Sequence, residues 1–256
     1  MSNTVFIRPL SFTATSSTPV AGSAANLAVD MPSLVWRGAS GISNIIIDLG
    51  ASAVSYDYVA LIGTNLRSTD NVQVQTGTAA TGTGSYNSGL LTAWTGTKPS
   101  VASAVVIVPL PATRTERYVR IDITSTSNPD GYVQIARVVI GKAMKTGGID
   151  VDAEMGFVDQ SVVTNGTGYT TVQALPVLTS WKFSTGWISD VDWRQTFAPF
   201  MQAVGINGAF LFIVDDGTPA NWQTDAVFGR FTTKTAGKSE FYNAWRIEAT
   251  VTELAP

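Results

Sequence analysis

Between residues 35 and 140 the apolar side chains fall into short runs with a period of two, and that spacing limits what the chain can fold into. Period two sends successive side chains to opposite faces of a strand, whereas a helix needs apolar residues at i, i+3, i+4 and i+7. Residues 71–76 show it plainly: Val72 and Val74 face one way, Gln73 and Gln75 the other. Tyr118-Val119-Arg120-Ile121-Asp122-Ile123 repeats the pattern. Val35-Trp36-Arg37, Ile45-Ile46-Ile47-Asp48-Leu49, Tyr58-Val59-Ala60-Leu61-Ile62 and residues 105–108 and 133–140 read as further strands, with Ile135, Val138 and Val139 expected in the core. Residues 77–103 are rich in Thr, Gly and Ser, and predict a long loop or a weak hairpin. Many short strands with polar turns, and no helix period before residue 185, predict a sandwich or jelly roll.

A boundary is expected at residues 141–149, which are polar and include Gly147-Gly148. The division is then 1–145, a β-sandwich, and 146–256, a second β-rich domain with one short helix near 190–204. Residues 156–163, 170–178, 226–233 and 244–254 read as strands, and Ala209-Phe210-Leu211-Phe212-Ile213-Val214 as a buried one. Trp181, Phe183 and Trp187 form an aromatic set at period two. Ser189 and Asp192 form a capping box, after which Trp193, Phe197, Phe200, Met201 and Val204 line one helical face. Pro199 is expected to kink or split that helix, and Gly205 and Gly208 to end it.

Composition narrows the chemistry. The chain has no His and no Cys. That removes the commonest general base, the commonest transition-metal ligand, thiolate nucleophiles and disulfides. Carboxylate, Lys or Tyr catalysis survives, and no motif singles out such residues. Asp150, Asp152 and Glu154 alternate and could share a strand face, but three carboxylates satisfy only part of a calcium shell. An acidic linker facing solvent is the competing account, and Asp215-Asp216-Gly217 reads as turn chemistry. No catalytic residue, cofactor or metal site is therefore expected. A net charge of −3 without a basic run predicts no nucleic-acid surface. No window approaches 18 apolar residues, so no membrane insertion is expected, and no secretory signal is visible. Charged residues make up 14% of the chain, well below the roughly 25% of an average soluble domain. Interface cores are depleted in Lys and Glu, so sparse charge favours an oligomer.

Several short segments follow one another in a set order. Thr13-Ala14-Thr15-Ser16-Ser17 precedes Ala25-Asn26-Leu27 and Leu34-Val35-Trp36-Arg37. Ile45-Ile46-Ile47-Asp48-Leu49-Gly50, Tyr58-Val59-Ala60-Leu61-Ile62-Gly63-Thr64-Asn65-Leu66 and Tyr118-Val119-Arg120-Ile121 follow. Taken together, residues 10–141 resemble a discoidin-type, galactose-binding-like domain. The resemblance implies a jelly-roll sandwich that contacts glycans or phospholipids through loops at one end. The candidate glycan-contact residues are Asn65, Arg67, Asp70, Tyr86 and Trp94, with aromatic faces for sugar rings and polar groups for hydroxyls. In a second reading Trp94 and Tyr86 cover the core and the others are solvated loop.

The second half carries a helix around Trp193-Arg194-Gln195, an apolar strand ending in Asp215-Asp216, then Val227-Phe228-Gly229-Arg230-Phe231 and a long last strand with Glu253 near its end. This order resembles distal tail and minor tail (baseplate) proteins of tailed phages, over roughly residues 150–256. The resemblance implies a structural virion protein of a siphophage tail tip, made in the host cytoplasm. It would form a ring, hexameric in that family, and contact other tail proteins and host-surface glycans. The alternative is a stand-alone carbohydrate-binding or adhesion module.

Overall fold

A computed structural model describes residues 3–52, 54–100, 103–233 and 235–254. The protein is mainly β, and its strands build two sheets of a sandwich and a third, larger sheet stacked behind them. The front sheet has six strands, in the order Thr13–Ser16, Gly41–Asp48, Tyr118–Ser125, Asn71–Gly77 and Tyr86–Asn87, with Leu91–Thr92 also on Asn71–Gly77. The back sheet orders Ala104–Arg114, Tyr56–Thr64 and Arg137–Gly141. A small sheet of Tyr132–Ile135, Trp36–Ala39 and Pro19–Ala21 completes this half.

The alternation seen in the sequence is the packing. Ile45, Ile47, Val72, Val74, Val119, Ile121 and Ile123 turn inward from the front sheet and meet Val59, Leu61, Val106, Val138 and Ile140 from the back. Trp36 is fully buried in the same core. Of the stretch 77–103, residues 101–102 lie outside the described residues; the described part holds two short strands as well as turns, and the weak hairpin forms against Asn71–Gly77.

The third sheet has eight strands, ordered Ala143–Thr146, Thr4–Ile7, Phe210–Ile213, Ala226–Phe231, Ala244–Glu253, Val177–Ser189 and Glu154–Asp159, with Ala236–Phe241 also paired to Ala244–Glu253. Its second strand comes from the extreme N-terminal segment. Thr4–Ile7 pairs with Ala143–Thr146 on one side and with Phe210–Ile213 on the other. The sandwich is therefore an insertion between two neighbouring strands of the larger sheet, and the chain does not divide at one point near residue 145.

Both faces of this sheet are covered, which explains the uninterrupted apolar run at 209–214. Val5, Ile7, Leu211 and Ile213 pack against Tyr58, Ala60, Ile62, Ile107 and Val139 on the outer face of the sandwich. Phe6, Phe210, Phe212, Phe183 and Phe231 point the other way, onto Phe197, Phe200, Met201 and Val204 of the helix. The layers run front sheet, back sheet, large sheet, helix.

The helix begins where Ser189 Oγ accepts the Asp192 N–H at 3.0 Å. Residues Trp193–Phe197 then form a π-helical turn, in which the Ala198 N–H reaches the Trp193 carbonyl. Pro199 starts the following α-helix Ala198–Val204. Proline has no N–H to give and its ring crowds the carbonyl four residues back, so widening the preceding turn removes the conflict. Gly205, at φ 52°, ends the helix.

Candidate functional site

The five residues singled out on the sandwich fall into two places. Asn65 follows the strand Tyr56–Thr64 and spends its amide on the fold. Its Nδ2 donates to Asp130 Oδ2 at 2.8 Å and to the Tyr132 carbonyl at 3.0 Å, and its Oδ1 accepts the Gln134 N–H at 2.8 Å. Arg67 clasps Asp70 through its backbone N–H at 2.8 Å and its guanidinium at 2.8 and 3.3 Å. Asp70 is 3% exposed. Burial pushes its carboxyl up, but the Arg67 hydrogen bonds and charge outweigh this and hold it below the ordinary value. Trp94 donates Nε1 to the Leu66 carbonyl at 2.7 Å and lies half-buried against the core.

Tyr86 sits elsewhere. It pairs with Thr76, while Thr92, two residues before Trp94, pairs with Asn71. Those positions are five residues apart on one strand, roughly 17 Å at the usual rise. The Arg114 guanidinium covers the Tyr86 ring at 4.3 Å. The structure thus gathers Asn65, Arg67, Asp70 and Trp94 at one end of the sandwich, bonded to one another's surroundings, and leaves Tyr86 near the other.

The acidic positions of the second half are also engaged. Asp150 and Asp152 lie in a turn, so the expected strand face of three carboxylates does not form; only Glu154 is in a strand. Asp150 is no solvated linker either: its Oδ2 accepts from Ser184 Oγ and Arg246 Nη2, both at 2.7 Å. Arg246 also donates to Glu240 at 2.9 Å. Asp215 does the expected turn work by accepting the Gly217 N–H at 2.7 Å. Asp216 instead accepts from the Asn3 N–H at 2.8 Å and from Lys145 Nζ at 2.7 Å. Among the described residues no three acidic side chains are grouped to hold a metal. A cleft of about 800 Å³ between sandwich and helix is lined by Arg8, Lys142, Lys145, Met144, Phe197 and Phe200. Asp192 is the one carboxylate in its wall, and it accepts from Ser189 Oγ at 2.7 Å.

Two surfaces stand out because apolar groups face water. The first is an arm. Glu154–Asp159 pairs with the start of Val177–Ser189, and Val162–Gly166 pairs with Tyr169–Gln173, so residues 154–182 form one long bent hairpin. Every residue of the two outer strands is exposed. Met155, Phe157, Val158, Val162, Val163, Tyr169, Val172, Leu175 and Val177, nine of the 21 large apolar residues left exposed among the described residues, lie on it.

The second surface lies at the end of the aromatic set Trp181, Phe183 and Trp187, whose period of two is broken before its last member. Phe183 is buried, but Trp187 is 83% exposed and Ile188 takes the buried place. The pairing of Val177–Ser189 with Ala244–Glu253 slips between Thr185 and Ile188, which marks a bulge at Gly186 and Trp187. A bulge adds a residue and re-aims the next side chain, and glycine inside a strand is its one sequence signal. The neighbouring strand Ala236–Phe241 had no such signal at all, since Lys, Gly, Ser and Glu give no alternation.

No protein-family profile matches the chain, and no curated protein sequence matches it. Solved structures similar to the sandwich half include chitosan-binding module 1 from a chitosanase/glucanase of Paenibacillus sp. IK-5. It is 19% identical, with a TM-score of 0.36, over 53% of this chain and 98% of that one. The family 32 carbohydrate-binding module of Clostridium perfringens NanJ, solved with galactose, is 14% identical, with a TM-score of 0.38, over 53% of this chain and 98% of that one. Another C. perfringens module, solved with GalNAc-β-1,3-galactose, is 10% identical, with a TM-score of 0.37, over 53% and 99%.

Proposed function

We propose that this chain is a non-catalytic subunit of a larger assembly and that the arm of residues 154–182 is what holds it there. The observation that carries this reading is the arm's exposure. An isolated two-stranded hairpin is marginal in water, and this one exposes apolar side chains on both faces, as at Phe157 and Val158 and at Val162 and Val163, which calls for a covering surface. Exposed strand edges are normally guarded by charge, especially Lys, yet the arm's one Lys, Lys182, sits at its base beside Glu154, and residues 155–181 contain no Lys and no Arg. An arm that reaches a different surface on the next copy makes a head-to-tail contact, and such contacts build rings when the rotation closes and filaments when it does not. In its fuller form the reading is a tail-tip ring of a siphophage virion, as the resemblance of the second half implies. The large sheet and arm would join subunits and other tail proteins, and the sandwich would project from the ring.

The test is native mass spectrometry and electron microscopy of the full chain across a range of concentrations. The expected species are multiples of the 27.1 kDa subunit, with ring outlines. Replacing residues 160–176 by an Asn-Gly turn leaves the thermal melt in place and returns the mass to one subunit. A full chain that stays at one subunit throughout defeats the proposal.

A further inference from the structure

The strand Val177–Ser189 carries the arm at one end and the outward Trp187 at the other, ten residues and roughly 33 Å away. Around Trp187 the surface has features an arm contact does not explain. Trp187 lies at φ 60° and Asn243 at φ 63°, and these are the two non-glycine residues with positive φ among those described. For Asn243, in the turn between Ala236–Phe241 and Ala244–Glu253, this is ordinary hairpin chemistry, but for a bulky Trp it is costly, and such positions cluster at ligand sites. Trp187 and Phe241 hold their rings nearly parallel, 16° apart with centroids at 6.3 Å. Phe241 is 65% exposed and Tyr242 is 94% exposed.

Beside this aromatic platform is a hollow of about 590 Å³ lined by Asp190, Arg194, Glu240, Phe241, Tyr242 and Asn243, with Trp245 at its wall. Its polar groups are held in place. Asp190 accepts from Arg194 Nε at 2.7 Å and from Trp245 Nε1 at 2.8 Å. Trp245 is itself stacked on Trp193 at 4.9 Å. The bonds from Arg194 and then Trp245 keep the Asp190 carboxyl below its ordinary value, hence ionised. Both carboxylate oxygens keep a further lone pair, Arg194 keeps guanidinium N–H groups, and the Asn243 amide takes no hydrogen bond among the described residues.

We propose that this is a saccharide-binding site. A pyranose ring has an apolar C–H face and a rim of hydroxyls. The first suits the Trp187–Phe241 platform, and the second suits fixed carboxylate acceptors beside guanidinium and amide donors. Protein interfaces also combine aromatic rings with hydrogen bonds, so the assembled mass is read beside sugar binding. The site lies on the half of the molecule opposite the sandwich, and it does not depend on how subunits assemble.

Trp187 is the most exposed tryptophan described, so the part of the emission change that Trp187→Gly abolishes reports the site against the other six tryptophans. The full chain is titrated with methyl glycosides of glucose, galactose, N-acetylglucosamine and rhamnose at millimolar concentration, with saturation-transfer NMR on the same samples. At least one glycoside is expected to give a saturable blue shift. Trp187→Gly, which suits the positive φ, should weaken binding at least tenfold; Phe241→Ala and Asn243→Gly should weaken it several-fold, all with unchanged melting. No response from any glycoside, or binding indifferent to Trp187→Gly, overturns the proposal. So does a loss of assembled mass in Trp187→Gly, which would make the patch a subunit contact.

Discussion

The residues that looked most like ligand groups show how a polar side chain in a loop can be consumed by the fold. Asp70 is the sharpest case, because a buried carboxylate must be fully bonded. Asp70→Asn removes the charge that Arg67 clasps and is expected to cost about 1–3 kcal/mol at neutral pH. The folded carboxyl sits below its ordinary value of 3.8, burial notwithstanding, because of Arg67. Its contribution is thus present above that value and lost as pH falls through the folded pKa. Denaturant melts of the two proteins should therefore differ at pH 7 and converge in strong acid; a gap that persists at low pH assigns the loss to packing instead. None of this was readable beforehand. Asn65 finds Gln134 69 residues away, and Asp216 finds Asn3 213 residues away, so residue type alone could not reveal the partners.

At the scale of elements, the alternating strands and the helix were legible because their causes are local. Ser189 caps the helix as expected, and Phe197, Phe200, Met201 and Val204 line its buried face. Trp193 belonged to the same stripe but is only half-buried, stacked on Trp245. The π turn that accommodates Pro199 inserts an extra residue between Trp193 and the rest, and turns it off the stripe. Ser189→Ala is expected to lower stability by about 1 kcal/mol, read from denaturant midpoints at unchanged slope. Phe212→Ala should cost about 3–5 kcal/mol, since its fully buried ring meets Phe183 at 4.6 Å and Phe6 at 5.3 Å. Equal and small losses for both changes would mean that the helix layer contributes little. The bulge at Trp187 was less legible. Gly186 hinted at it, but only the pairing with Ala244–Glu253 fixes which residue is extra.

The whole molecule was the hardest scale to read, because one four-residue strand decides it. Thr4–Ile7 is too short to show a period, and nothing in it says which sheet it joins. Yet Val5 and Ile7 fill the layer against the sandwich, while Phe6 touches the rings of Phe183, Phe197, Phe200, Phe210 and Phe212. Removing residues 1–7 therefore strips a middle strand from the large sheet and leaves the edges of Ala143–Thr146 and Phe210–Ile213 unpaired. Unpaired buried backbone and an empty aromatic slot are each costly, so the shortened chain is expected to lose cooperative melting of that sheet while the sandwich core persists. A peptide Asn-Thr-Val-Phe-Ile-Arg supplied in trans can enter as a strand, bonding through its main chain and filling the slot with its phenyl ring. It should restore slow hydrogen exchange at residues 210–213, and the same peptide with Ala for Phe6 should do so far less well. If the shortened chain melts as the full chain does, the sandwich is held to the larger sheet by stacking alone and the inserted strand is dispensable. If the peptide rescues it, the strand carries the connection between the two halves.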